Sequence, residues 1–215
     1  MSYLLQIDSS SRGADSISRQ VAQSFLDAWD GEVVHRDLAV EPVPHLTEAG
    51  ISARVTDPAE HTSEQAAAVA VQEELIEEFL GASAYLFTVP MYNWTMPSVF
   101  KAWLDQIMVK GRTLHFTGNG PATAGRPALL VSARGGGFGP GTRNHGMDFV
   151  VPVLEAVLGN THTLGLDLTT VTPELTHAPV VQRMAHFLPL HEASLADAHE
   201  QARLHAEKFK QQVIA

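Results

Sequence analysis

The 215 residues suit one domain spanning 1–215, and with 45% hydrophobic residues the chain can bury a sizeable core. Fourteen Lys and Arg against 24 Asp and Glu give a net charge of −10, which argues against a nucleic-acid binder, since that would present a basic face. The lack of cysteine removes disulfides, thiolate metal sites and a cysteine nucleophile, and no apolar run approaches the ~20 residues of a membrane span, so the expectation is a soluble cytoplasmic protein without a signal peptide.

Tyr3–Asp8 reads as the first strand, followed by a serine-rich stretch from Ser9. Ile17, Val21, Phe25 and Leu26 keep helical spacing as far as Trp29, and Asp30-Gly31 end that helix. Glu32–Leu38 reads as strand two. Residues 39–62 hold three prolines and no clear period, which predicts a surface excursion. Ser63 is a plausible N-cap for a helix to Leu80. Ala84–Val89 is a short apolar run, read as a buried third strand whose ladder stops at the ring of Pro90. Met91–Met96 cross a turn. A helix follows Pro97, with Val99, Phe100, Trp103, Leu104 and Ile107 on one face. Ala128–Ser132 reads as strand four, followed by a glycine cluster. Phe149–Leu158 reads as a helix, His162–Val171 as strand five, 172–192 as a proline-bearing connection and Ala193–Val213 as a terminal helix. Five alternations of strand and helix imply a parallel sheet covered on both faces.

Three turns stand where such a sheet presents its strand carboxyl ends, the side on which ligands bind. After strand one, Ser9, Ser16 and Ser18 bring hydroxyls to a helix N-terminus, where free N–H groups, including those of Ile17 and Ser18, favour an anion. A solvated loop with Ser16 as an ordinary cap fits the same residues. After strand three, Pro90-Met91-Tyr92-Asn93-Trp94 offers three large side chains for a flat ring and one amide that can donate and accept. A hydrophobic turn packed on its own helix is the alternative. After strand four, Ala133-Arg134-Gly135-Gly136 lets backbone approach a ligand closely, or is simply a flexible glycine loop. There is no Gly-x-x-x-x-Gly-Lys-Ser/Thr, no Gly-x-Gly-x-x-Gly after strand one and no Gly-x-Ser-x-Gly, which disfavours a nucleoside triphosphatase, a dinucleotide fold and a serine hydrolase. The 11 histidines are scattered, and no metal is expected.

Taken together these residues resemble the FMN-dependent NADH-azoreductases, flavodoxin-like enzymes also active as quinone reductases. Pro90-Met91-Tyr92-Asn93-Trp94 is similar to the family's Pro-Met-Tyr-Asn-Phe flavin loop. Lys101-Ala102-Trp103-Leu104-Asp105, Phe116-Thr117-Gly118-Asn119-Gly120-Pro121, Ala133-Arg134-Gly135-Gly136, and Ser9 with Ser16-Ile17-Ser18 are similar to four further family motifs. The resemblance implies a three-layer flavodoxin-like α/β fold with a five-stranded parallel sheet in order 2-1-3-4-5. It implies FMN, with its phosphate on Ser9, Ser16, Ile17 and Ser18. Its ribityl chain and ring would lie along Pro90–Trp94, and the ring's pyrimidine edge along Ala133–Gly136. It further implies ping-pong hydride transfer from NADH or NADPH through FMN to quinones and aromatic azo compounds, with no catalytic side chain. A homodimer with FMN at its interface is also implied. Ala133 in place of serine, Phe138 in place of a histidine found in some members, and the long 172–192 segment depart from the pattern. Phe116, Phe138 and the 172–192 segment are the expected walls of the substrate pocket. The alternatives are an electron carrier or flavin-binding module of the flavodoxin type without an organic substrate, or a structural or regulatory dimer that has lost FMN.

Overall fold

The computed structural model describes residues 3–115, 118 and 120–214. The expected walls and linkers at Phe116, Thr117 and Asn119 therefore lie outside the described residues. Five strands, β1 (Leu4–Asp8), β2 (Val33–Asp37), β3 (Ala84–Thr88), β4 (Pro127–Val131) and β5 (Asp167–Val171), form one parallel sheet in the order β2-β1-β3-β4-β5. β1, β3 and β4 are buried at every position, as apolar runs in the middle of a doubly covered sheet must be, whereas β2 and β5 form partly exposed edges.

Because successive side chains of a strand point to opposite faces, the sheet divides the core in two. Leu5, Ile7, Tyr85, Phe87, Ala128 and Leu130 face α3 (Ser63–Gly81) and α4 (Ser98–Ile107). Phe79, Tyr85, Phe87, Phe100 and Trp103 stack there with ring centroids 4.9–6.0 Å apart. Leu4, Ala84, Leu86, Leu129 and Val131 face α1 (Ile17–Leu26) and α6 (Leu188–Ile214). The register then decides where the site can be. Asp8 pairs with Thr88, Thr88 with Val131 and Val131 with Val171, so four strands end in line and their following loops leave from one rim.

Several boundaries differ from the sequence reading. Residues 39–62 contain α2 (Glu48–Ala53), capped by Thr47, and a 3-10 turn at Pro58–Glu60; six residues span too few turns to display a period. The cap of α3 is Thr62, not Ser63, because Thr62 and Gln65 form a reciprocal capping box at 3.2 and 2.9 Å. Helix α1 stops at Leu26, with Trp29 in a turn beyond it. β5 begins at Asp167, because Gly165 has φ +67° and both its N–H and that of Thr163 return to the Asn160 carbonyl. The expected helix 149–158 is α5 (Val151–Leu154) followed by a π turn, Glu155–Gly159. Helix α6 starts at Leu188 rather than Ala193, preceded by a 3-10 turn at Gln182–Phe187, since Pro189 in a first helical turn forfeits no bond.

Candidate active site

Two loops on the rim are fastened to each other. Tyr92, from the β3–α4 loop, reaches across to the β1–α1 loop, where its phenol oxygen accepts from the Ser11 N–H at 3.1 Å and the Ser11 hydroxyl at 3.2 Å and lies 3.3 Å from the Ser10 hydroxyl. Burial pushes the Tyr92 phenol up; the hydrogen bonds from Ser10 and Ser11, with Arg12 nearby, outweigh it and hold it below the ordinary tyrosine value. The turn that aims Tyr92 is strained. Asn93 and Trp94 both have positive φ, +50° and +66°, and Tyr92 and Thr95 exchange two backbone hydrogen bonds of 2.8 and 3.0 Å. Positive φ at both central residues is the mark of a type I′ turn, which asparagine tolerates and tryptophan does not favour.

Pro90 does not end the ladder. Val89 donates to the Val131 carbonyl and Met91 to that of Ala133, so pairing with the β4 side continues past the proline. The missing N–H faces the β1 side, where the chain has already turned away, and costs nothing.

Beneath the first loop lies a charged network. Arg19, on α1, donates to Asp8 at 3.0 Å, to both oxygens of Asp37 at 2.6 and 2.8 Å and to the Ser10 carbonyl at 2.8 Å. His35 meets the same Asp8 oxygen at 2.9 Å, and Thr88 donates to the other at 2.6 Å. Burial would raise the Asp8 carboxyl; His35, Thr88 and Arg19 overcome it and hold it below the usual carboxylate range. The hydrogen bond to Asp8 raises His35, against the effect of its burial. Asp8, His35 and Asp37 bring ligand-type atoms within 4.8 Å of one another, yet the Arg19 guanidinium already sits on both carboxylates, which is the arrangement of a structural ion-pair cluster.

The rim encloses a cleft of about 350 Å³, within the size range of small-molecule sites. One end is the start of α1, where Ser16, Ile17 and Ser18 line the wall with Ser10 and Arg12. Ser16 caps the helix and its hydroxyl lies 3.1 Å from that of Ser18. Pro90, Met91, Tyr92 and Asn93 form a second wall, and Ala133 and Gly135 a third. Of the residues read from the sequence, Ser9, Trp94, Arg134 and Gly136 are not on the cleft surface. Ser9 is buried and donates to the Thr88 carbonyl at 2.7 Å. Trp94 is turned outward and 49% exposed. Arg134 is buried and pairs with Asp148 at 2.5 Å and Glu174 at 3.0 Å; Glu174 also accepts from the Phe138 N–H. Gly136 accepts from the Leu175 N–H.

Two further cleft residues, Thr176 and His177, come from the connection between β5 and α6. That segment pairs with the β4 loop: Arg134 donates to Pro173, while Leu175, Thr176 and His177 donate back to Gly136, Arg134 and Gly135. The His177 ring lies so close that a β-carbon on Gly135 would stand 2.4 Å from it. No periodicity marks these residues, and only the length of the proline-bearing stretch hints at a wall there.

The chain matches the family model described as a flavodoxin-like fold over residues 2–205. It is 44% identical to the FMN-dependent NADH:quinone oxidoreductase of Streptomyces coelicolor, covering 100% of this chain and 98% of that one. It is 43% identical to the protein of the same name from Frankia casuarinae, over 96% and 99%. Among solved structures, the azoreductase from Bacillus anthracis strain Sterne superposes with a TM-score of 0.82 at 25% identity, over 97% of this chain and 100% of that one. With this fold and this extent of identity, the chain belongs to the flavodoxin-like family of FMN-dependent NADH:quinone oxidoreductases.

Proposed function

We propose that this protein is an FMN-dependent oxidoreductase that uses NADH, or NADPH, to reduce quinones and aromatic azo compounds. The observation that carries the reading is the single cleft joining three loops, with hydroxyls and a helix N-terminus at one end and large side chains opposite a glycine backbone at the other. That donor set fits a phosphate bound to a flat heterocycle: free N–H groups and hydroxyls satisfy the anion despite the acidic chain, and the bare Gly135 leaves room for the His177 ring to rest on the third wall. Ser16, Ile17 and Ser18 would hold the phosphate of FMN, Pro90–Asn93 would flank the ring and ribityl chain, and Ala133 and Gly135 would border the ring edge. Ser9 supports the first group from below through Thr88. Arg134 and Gly136 support the last through the β5–α6 connection.

When bound, FMN supplies the two-electron chemistry that links the nicotinamide nucleotide to the acceptor. The protein's own part is to hold, orient and exclude. Arg19 fixes the Ser10 carbonyl, Tyr92 locks two loops together, and the flat cleft admits planar acceptors with few directional contacts. Nucleotide and acceptor would use the same open face in turn, which is why ping-pong kinetics are expected. A homodimer, with the outward Trp94 at the partner, and a cytoplasmic location complete the reading; no described helix is long and apolar enough to cross a membrane.

The purified protein should be yellow and release FMN on denaturation. Anaerobic NADH should bleach the flavin band, and menadione or methyl red should restore it, with parallel double-reciprocal lines in steady state. A colourless chain that cannot take up FMN rejects the reading. Bleaching by NADH without turnover of either acceptor would favour an electron carrier instead.

A further inference from the structure

Reducing a quinone to a hydroquinone adds two electrons and two protons, equivalent to one hydride and one proton. The reduced nicotinamide nucleotide accounts for the hydride. Among the described residues that line the cleft, three side chains carry a proton that titrates in water: Arg12, Tyr92 and His177. An arginine keeps its proton at any physiological pH. The Tyr92 phenol is engaged by Ser10 and Ser11 at the far loop. Histidine is the side chain whose ordinary charge change falls near neutrality.

His177 is also built to present its ring. Its backbone is pinned on both sides: the N–H donates to Gly135 at 3.2 Å, and the carbonyl accepts from Val180 at 3.1 Å and Val181 at 2.9 Å. Two residues earlier Leu175 holds φ +57°, a conformation a leucine keeps only where its surroundings impose it. The imidazole lies against the bare α-carbon of Gly135, on the wall where the ring edge of the cofactor is proposed, and His177 remains exposed to solvent. No described protein group hydrogen-bonds either ring nitrogen, so a substrate oxygen or nitrogen can.

We propose that His177, within the flavin-dependent reading above and resting on it, delivers the proton to the acceptor. A ring N–H bond breaks as the new O–H bond of the hydroquinone forms, or the new N–H bond of the reduced azo compound. The neutral imidazole then regains a proton from water at the open mouth of the cleft.

The test compares two acceptors. Menadione needs one proton besides the hydride, whereas ferricyanide takes electrons alone. In His177→Gln the ratio of menadione to ferricyanide turnover should fall on the order of 100-fold, the lower range for loss of a general acid. In His177→Ala the same loss should be partly reversed by added imidazole. An unchanged ratio overturns the proposal, and so does an equal loss with both acceptors, which is what a structural role would give. A second readout needs no turnover: the Cε1 proton signal missing from both variants should shift in the flavin-free wild type when FMN is added. A signal that stays in place puts the ring outside the site and overturns the proposal. If NADH fails to bleach the wild-type flavin, the underlying reading falls first; normal bleaching with an unchanged ratio removes His177 alone.

Discussion

The two sides of the cleft are held by different physics. On the β1–β3 side, neutral hydroxyls and one phenol interlock over a charge cluster of Asp8, Arg19, His35 and Asp37, in which Asp8 is buried and His35 half exposed. On the β4–β5 side, backbone pairing between residues 134–136 and 173–177 is pinned by Arg134 between Asp148 and Glu174. The first side keeps its cleft-lining hydroxyls in one short stretch, Ser10–Ser18, with the charge cluster beneath it, whereas the second assembles its ion pairs from three separate segments, 134–136, Asp148 and 173–177. Hydroxyls near a helix start act as a unit wherever the loop is placed. An ion pair acts only once the fold brings both partners together.

The contrast is sharpest at Arg19. Arg19→Met leaves Asp8 and Asp37 facing each other without their cation and should cost about 3 kcal/mol, the lower end for breaking a buried pair from one side. Urea unfolding at pH 7 measures it, and FMN affinity should fall with it because the Ser10 carbonyl loses its anchor. On the other side, Glu174→Ala removes the Arg134 and Phe138 contacts but leaves Asp148 in place. About 2 kcal/mol is expected, as for hydrogen bonds to a charged group. A larger loss than Arg19→Met would reverse the ranking of the two sides. Tyr92→Phe removes the clasp to Ser10 and Ser11 at a cost of about 1 kcal/mol. Its FMN dissociation rate should rise while the melting temperature moves only a few degrees.

Trp94→Gly should change stability in the opposite direction. Trp94 is half exposed and occupies the second positive-φ position, where Asn-Gly is the favoured pair, so the substitution should stabilise the monomer fold by about 1 kcal/mol. Denaturation at low protein concentration checks this; a loss would show that the indole packs more tightly than its exposure indicates. The smallest effect concerns pH. Asp8 holds the His35 proton more tightly in the folded chain, so His35 contributes fully below about pH 6.5, where an unfolded histidine is also charged. The contribution is lost as pH rises through the higher folded value. Because His35 is half exposed, its loss is expected to stay below about 1 kcal/mol after solvent screening. His35→Gln should flatten stability between pH 6 and 8. The depressed Asp8 carboxyl works in the other direction, contributing at neutral pH and failing only as acid protonates it.

How much could be read in advance varied with the range of the interaction involved. The apolar runs of β1, β3 and β4 and the helical spacing of α1 and α4 depend on residues close in sequence, and they were legible to within a few positions. Helix α2 was not, since six residues barely complete a period, and the start of α6 was masked by prolines that the first turn tolerates. Of the loop residues, Ser16–Ser18, Pro90–Asn93, Ala133 and Gly135 line the cleft where the strand ends lead. Ser9, Arg134 and Gly136 lie behind it, because a loop motif says which backbone passes the site without saying which way each side chain turns.

The order of residues alone determined a doubly covered parallel sheet, three loops at its carboxyl rim and a hydroxyl-lined helix start, since alternation, helical spacing and capping are properties of neighbours along the chain. Tertiary structure decided that Arg19 would clamp two carboxylates, that Tyr92 would fasten one loop to another and that His177 would rest on Gly135. Each of those contacts joins segments that only the register of the sheet brings side by side.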